Sequence, residues 1–147
     1  MAKITASTVA KYLLLLQDED AGDLISNLKL QKLLYYAQGL HLAKTGKPLF
    51  AERICAWTHG PVVPDVYHEY KGFGGDAIPL PKDFDVESIP ENVRGFLNEI
   101  YRLLAQFSAW KLRDMTHGTA PYLKAEARKG EISTESMFDY FSTWLKK

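Results

Sequence analysis

Apolar side chains recur every three or four residues through most of the chain, the spacing that places them on one face of an α-helix. This spacing predicts helices at 7–17, 28–46, 61–72, 88–107, 108–117, 120–130 and 133–146. Imperfect alternation of apolar and polar residues predicts a short strand at 50–57. A glycine- and proline-rich loop is predicted at 72–85, with one extended piece at 78–80. Because strands and helices do not alternate regularly, we expect a mainly α protein, a single compact helical domain of about seven helices with one or two short β-strands, spanning residues 1–147.

The helix predicted at 28–46 is apolar on two sides. One face carries Leu30, Leu33, Leu34, Ala37, Leu40 and His41, and a second stripe carries Leu28, Tyr35 and Leu42. Gln31 and Gln38 lie one heptad apart beside that stripe. A helix that is apolar on two sides is typical of a central element that contacts several neighbours, so we expect this helix to be the middle of the fold.

Helix boundaries are indicated by capping residues and prolines. The predicted caps are Thr5 or Ser7, Asn27, Ser88 in a capping box with Glu91, and Ser108, with Gly46 as a C-terminal stop. Pro61, Pro90 and Pro121 are each expected in a first helical turn, where a missing N–H costs nothing. In the last helix the residues expected to face inward are Met137, Phe138, Phe141, Trp144 and Leu145.

Composition narrows the class of protein. Eighteen basic and eighteen acidic residues cancel, and no basic stripe accompanies them, which argues against nucleic acid as a partner. No signal peptide is recognised at the start, and the longest apolar run, "YLLLL", is far too short to cross a bilayer. We therefore expect a cytoplasmic protein with no membrane partner.

Two segments share Thr-His-Gly followed by a proline: "WTHGPVVPD" at 57–65 and "MTHGTAPYL" at 115–123. His59 and His117 could together serve a small metal-dependent enzyme, which is one alternative. However, no two histidines have the spacing that places two metal ligands on one helical turn. Local demand for a proline in the first turn of a helix explains both segments equally well, so we expect neither a metal nor a catalytic residue.

Two other chemistries are weighed and set aside. Cys55, the one cysteine, could act as a nucleophile beside a histidine, but its apolar strand is more typical of an inert thiol. "GFGG" at 72–75 lacks the lysine and the helix start that a phosphate-binding loop requires. We therefore expect no cofactor.

Aromatic residues are numerous, with three Trp, eight Tyr and seven Phe. Most are expected in the core, since a small helical domain needs large side chains to fill it. Tyr and Trp also anchor protein interfaces, so a binding surface is an equally good interpretation of some of them.

The order of several motifs resembles a known family. "LKLQKLLYYAQGLHLAKTGKPLF" is followed by "GPVVPDVYHEYKGFG", then by "THGTAPYLKA" and a final helix like "STESMFDYF". This combination, from about Leu24 to Tyr140, is similar to the Panacea domain of SocA-like and GepA-like phage-associated proteins. The resemblance implies a mostly helical fold and an antitoxin that neutralises a cognate toxin by direct binding, the toxin being encoded by an adjacent gene. It also implies the alternative of an adaptor that delivers the toxin to a AAA+ protease.

The resemblance also singles out individual positions for partner binding or for the family motif. They are Gln31, Lys32, Tyr35, Trp57, Gly60, Pro61, Val62, His117, Pro121 and Tyr122. Members of the family often have tryptophan after the last proline, where this chain has Tyr122. His59 falls where relatives are expected to have other residues, so the resemblance includes His117 and leaves His59 outside the motif.

Overall fold

The computed structural model describes residues 4–17, 24–128 and 130–145. Within these residues the α-helices are α1 (Ala6–Leu15), α2 (Asn27–Thr45), α3 (Pro64–Tyr70), α4 (Glu91–Leu104), α5 (Ala109–His117), α6 (Ala120–Ala127) and α7 (Thr134–Leu145). The strands are β1 (Ile54–Trp57), β2 (Gly60–Val62) and β3 (Glu131–Ile132), and single 3-10 turns lie at Lys71–Phe73 and Val86–Ser88. The mainly α prediction is confirmed, with one strand more than expected. The segment "DEDAGD", expected to end the first helix, lies outside the described residues.

Helix α2 is the centre of the fold. Every residue from Lys29 to Leu40 is buried, and the helix contacts α1, α3, α4, α5, α7 and β2. It begins after Ser26, whose hydroxyl accepts from the Lys29 N–H, rather than after the predicted Asn27. It ends at Gly46, whose φ of +75° is the left-handed conformation that glycine favours. The prediction of a central helix is therefore confirmed, with its cap one residue earlier.

Helix α7 can pack closely on α2 because Gly39 has no side chain. A Cβ atom at Gly39 would collide with the ring of Phe141. That ring packs edge-on against Tyr35, with 5.5 Å between centroids, and against Tyr36, at 5.7 Å. Met137 and Phe141 of α7 are buried as predicted and Trp144 is partly buried.

Three buried glutamines fasten the connecting segments to the helices through main-chain atoms. Gln38 accepts from the N–H groups of Leu49 and Phe50 and donates to the Phe50 carbonyl. Gln31 accepts from the Val63 N–H at 2.9 Å. Gln17 bonds in the same way to the main chain of residues 25 and 78. A buried N–H or C=O costs free energy when it has no partner, so these amides stabilise segments that have no regular ladder.

The three strands form one antiparallel sheet in the order β2-β1-β3. In the hairpin formed by β1 and β2, Cys55 is opposite Val62 and Trp57 is opposite Gly60. The hairpin lies against α2 and α5. None of the described helices combines the length and the apolarity that a bilayer crossing requires.

Several boundary predictions are wrong, for different reasons. Pro61 does not start a helix: it lies in β2, an edge strand, where proline is tolerated, and α3 begins three residues later at Pro64. Ser88 does not cap α4, since Pro90 holds Ile89 extended and itself takes the capping position.

The outward residues of α7 also differ from expectation. Phe138 and Leu145 are exposed, because the buried stripe of this helix is narrower than its run of apolar residues.

Candidate functional site

A cleft of about 1210 Å³ opens where α2, the β-hairpin, α3 and the start of α5 meet. Its walls are formed by Asn27, Leu28, Gln31, Lys32, Ala56, Trp57, Thr58, His59, Val62, Tyr67, Lys71, Gly74, Trp110 and Glu126. These residues come from segments up to a hundred positions apart, so only the folded chain assembles them.

The rim of the cleft is aromatic. The side chain of Trp110 at the start of α5 is 59% exposed, and that of Trp57 at the end of β1 is 36% exposed. Trp57 packs edge-on against Tyr67, with 5.1 Å between ring centroids, and Trp110 packs against His59 at 6.1 Å. The guanidinium of Arg113 lies 5.2 Å from the centre of the Trp110 ring, a cation–π contact.

The floor of the cleft contains a buried lysine. Lys32 has no exposed surface, and its ammonium donates to the Pro61 carbonyl at 3.1 Å. Burial, and to a lesser extent the positive charge of Arg113, together lower the pKa of Lys32 to about 7. No carboxylate forms a salt bridge with Lys32 among the described residues.

The Gly-Pro pair of the hairpin lies directly on this lysine. Gly60 has a φ of +113°, which side chains rarely adopt, and a Cβ atom there would meet the Cε of Lys32 at 2.7 Å. The same Cβ would lie 3.1 Å from the hydroxyl of Thr116. Glycine is therefore required at position 60 by both the backbone conformation and the space available.

His117 and Tyr122 hold the hairpin from the opposite side. The Nε2 of His117 lies 3.0 Å from the Thr58 carbonyl, and its Nδ1 lies 2.7 Å from the Arg113 carbonyl. The Tyr122 hydroxyl donates to the Trp57 carbonyl at 2.6 Å and contacts the Glu126 carboxylate at 2.9 Å. Burial and the Glu126 carboxylate both raise the pKa of Tyr122, so the hydroxyl remains a donor at neutral pH.

We expect Tyr122→Phe to lower the free energy of unfolding by about 1–2 kcal/mol, because the Trp57 carbonyl loses a partly buried donor. Urea unfolding measures the loss. Tyr140→Phe is the matched control, since the hydroxyl of Tyr140 forms no hydrogen bond with another described residue. Equal losses in the two variants would show that the hydroxyl of Tyr122 does not hold the hairpin.

The two Thr-His-Gly segments meet, yet their histidines point to different partners. The ring of His117 bonds to the main chain of the first segment, at Thr58, whereas the ring of His59 lies against Trp110. Both ring nitrogens of His117 already face carbonyl oxygens, which leaves neither for a metal. The described residues contain no group of three or more His, Cys, Asp or Glu side chains that could hold a metal ion. Burial raises the pKa of the Cys55 thiol, which disfavours the thiolate.

Most of the residues singled out by the sequence lie in or around the hairpin. Gln31, Lys32, Trp57 and Val62 line the cleft, and Gly60, Pro61, His117 and Tyr122 adjoin it. Pro121 lies buried in the first turn of α6, as predicted, and Tyr35 lies in the core, where its hydroxyl bonds to Thr119 at 2.7 Å. Tyr35 has no exposed surface in this structure.

Other cleft residues were missed by the sequence analysis: Tyr67, Lys71, Trp110 and Glu126, with Arg113 stacked behind Trp110. One signal was present. Trp110 follows the cap of a short helix whose inward positions begin at Leu112, so the helical period already places this tryptophan outside.

Comparison with known proteins adds a family to this geometry. Residues 30–121 match the family described as "Antitoxin SocA-like, Panacea domain". A curated relative, Antitoxin SocA of Caulobacter vibrioides (strain NA1000 / CB15N), is 48% identical over 62 residues, which cover 42% of this chain and 33% of that protein. The match thus spans about one third of the relative's length. No solved structure matches the chain at a significant level. The family match includes α2 from Leu30, the hairpin, α3 and α5, which are the elements that meet at the cleft, and the chain belongs to the SocA-like antitoxin family with a Panacea domain.

Proposed function

We propose that this protein is a cytoplasmic antitoxin, without catalytic activity of its own, that neutralises a cognate toxin by binding it directly at the cleft. The observation that carries the proposal is the exposed aromatic rim of Trp57 and Trp110 in a member of an antitoxin family. Tryptophan is one of the residues enriched among the side chains that dominate the binding energy of protein interfaces.

The shape of the cleft suits an inserted segment of the toxin better than a flat surface of it. Its floor is fixed by α2 and its rim by the hairpin and α5, so little side-chain order has to be gained on binding. Trp57 and Tyr67 already pack against each other, and Trp110 is stacked on Arg113. A toxin segment inserted between the two tryptophans would be covered on several sides, and the bulk of the antitoxin would then block whatever surface of the toxin adjoins that segment.

Co-expression with the product of the adjacent gene tests the proposal. We expect that product to stop growth when expressed alone, growth to resume when both proteins are present, and the two proteins to co-purify. Trp110→Ala should weaken binding by roughly 30-fold or more, the effect of removing an interface anchor. Leu103→Ala is the matched control, because Leu103 is as exposed as Trp110, at 57%, but lies on the outer face of α4.

A neighbour that is harmless alone, or that remains toxic beside this protein, would contradict the proposal. If Trp110→Ala and Leu103→Ala changed the affinity for the toxin equally, the binding surface would lie outside the cleft. Toxin levels are followed in the same cultures. Protection that requires a AAA+ protease and is accompanied by loss of the toxin would show that this protein acts by proteolytic delivery and not by blocking the toxin.

A further inference from the structure

We propose that His59 determines which toxin the cleft accepts, by forming a hydrogen bond with an uncharged hydroxyl or amide side chain of the toxin segment that packs on Trp110. This inference rests on the proposed function, because it concerns the choice among partners at the same cleft. It depends on the ring nitrogens of one exposed histidine, whereas the proposed function depends on the two tryptophans and on the family.

The ring of His59 is exposed at the tip of the hairpin. His59 lines the cleft, and its ring packs edge-on against Trp110, with 6.1 Å between centroids. Neither of its ring nitrogens forms a hydrogen bond with another described residue. His117 differs, because both of its nitrogens lie within 3.0 Å of main-chain carbonyl oxygens. An imidazole with one ring proton has one donor and one acceptor, so His59 can offer both to a partner.

The main chain on both sides of His59 is fixed. The Thr58 carbonyl lies 3.0 Å from the Nε2 of His117. On the other side Gly60 lies against the buried side chain of Lys32, at a position where even a Cβ atom would collide. A group that is held in place before binding loses little conformational entropy when a partner arrives. The imidazole therefore presents its nitrogens at a defined place on the rim of the cleft.

The hairpin turn accepts other side chains at this position. Among the described residues the one non-glycine residue with a positive φ is Asp83, so Thr58 and His59 both have ordinary backbone conformations. The side chain of residue 59 is exposed, so most replacements change the surface of the cleft without disturbing the core. A position that alters the binding surface at little cost to the fold is suited to setting a preference for one partner.

The other exposed groups of the cleft favour an uncharged partner group. Of the charged side chains that line it, Lys71 and Glu126 are exposed and have opposite signs, whereas Lys32 has no exposed surface. The exposed charges therefore select neither an acidic nor a basic segment. A hydroxyl or an amide both donates and accepts, so it can bond to the imidazole whichever ring nitrogen holds the proton.

Calorimetric titration with the purified product of the adjacent gene tests the inference. His59→Phe keeps a ring beside Trp110 but removes both nitrogens, and we expect it to weaken binding roughly tenfold, the loss of one hydrogen bond made on binding. His59→Gln and His59→Asn keep a donor and an acceptor, and at least one of them should bind within about threefold of the natural protein.

His68→Phe is the matched control. His68 is exposed and its ring packs against Trp57, with 6.4 Å between centroids, but it does not line the cleft. We expect this change to alter the affinity by less than about twofold. Urea unfolding checks that all the variants fold, and His59→Leu takes the place of His59→Phe if phenylalanine at this position prevents folding.

A double-mutant cycle then identifies the group that His59 recognises. Each Ser, Thr, Asn and Gln of the toxin is changed in turn to Ala and titrated against the natural antitoxin and against His59→Phe. We expect one change to weaken binding to the natural antitoxin roughly tenfold and binding to His59→Phe by less than about threefold.

Three results would overturn the inference while leaving the antitoxin function intact. They are natural affinity in His59→Phe, loss of affinity in both amide variants, and equal effects of every toxin change in the two backgrounds. The second of these would show that the partner recognises the ring rather than its nitrogens. A neighbour that does not bind the natural antitoxin at all would contradict the proposed function as well.

Discussion

Lys32→Met should be more stable than the natural protein, by about 3 kcal/mol at pH 6. A fall in pKa from 10.5 to about 7 means that burying the charged ammonium costs about 5 kcal/mol when the side chain is protonated in both the folded and the unfolded chain. Methionine fills a similar volume without a charge. It loses the hydrogen bond to the Pro61 carbonyl, which offsets the gain by about 1–2 kcal/mol.

The sign of the pH dependence follows from proton binding. Between pH 7 and pH 10.5 the unfolded chain holds a proton on Lys32 that the folded chain has released, so the stability of the natural protein rises with pH in this window. Below pH 7 both forms are protonated and the full cost of burial is present. The advantage of Lys32→Met should therefore be largest below pH 7 and fall to about zero by pH 10.

Urea unfolding of both proteins at pH 6, 8 and 10 measures this difference. Lys124→Met is the control, because Lys124 is exposed on α6 and its removal should change stability by less than about 0.5 kcal/mol at each pH. A Lys32→Met variant that is less stable than the natural protein at pH 6 would show that the buried ammonium stabilises the fold rather than destabilising it.

Gln38→Leu should lower the free energy of unfolding by about 3 kcal/mol. The amide of Gln38 satisfies three main-chain groups of the buried Leu49–Phe50 segment, and leucine, although similar in size, satisfies none of them. Each buried group left without a partner costs about 1–3 kcal/mol, and the added apolar surface recovers part of the sum. Because this segment leads into β1, we expect the hairpin to become more mobile as well.

Thermal and urea unfolding measure the loss, and amide hydrogen exchange at residues 49–57 measures the mobility. Gln106→Leu serves as the control, since Gln106 is exposed and, among the described residues, its side chain bonds to the Leu103 carbonyl near the end of α4. If Gln38→Leu were as stable as Gln106→Leu, water would be able to replace the glutamine as the hydrogen-bond partner of the Leu49–Phe50 main chain.

The central helix was predictable because its evidence is local. Apolar residues on two sides of 28–46 required several neighbours, and the structure supplies them around α2. The sequence predicted the position of Gln31 and Gln38 on the helix but not the groups that they bind. Their heptad spacing showed that they share a face, but the loops they fasten lie 11 to 32 residues away, which no local pattern reports.

The error at Ser88 is local, because Pro90 takes the capping position, whereas the error at Pro61 has a tertiary cause. A proline in a first turn and a proline in an edge strand have the same local sequence, and the choice is made by tertiary contacts: β1 beside Pro61 and Lys32 beneath it. The cleft itself was beyond sequence reasoning for the same reason, since Trp57 and Trp110 become neighbours only through the packing of α5 against the hairpin.

Four side chains outside the hairpin bind main-chain atoms in and next to it. Gln31 binds the N–H of residue 63, Lys32 the carbonyl of residue 61, His117 the carbonyl of residue 58 and Tyr122 the carbonyl of residue 57. None of these four bonds uses a side chain of residues 57–59, so a change of side chain at these positions leaves all four donors and acceptors in place. Under the proposed function, a library that randomises positions 57–59 should yield folded proteins with altered partner preference.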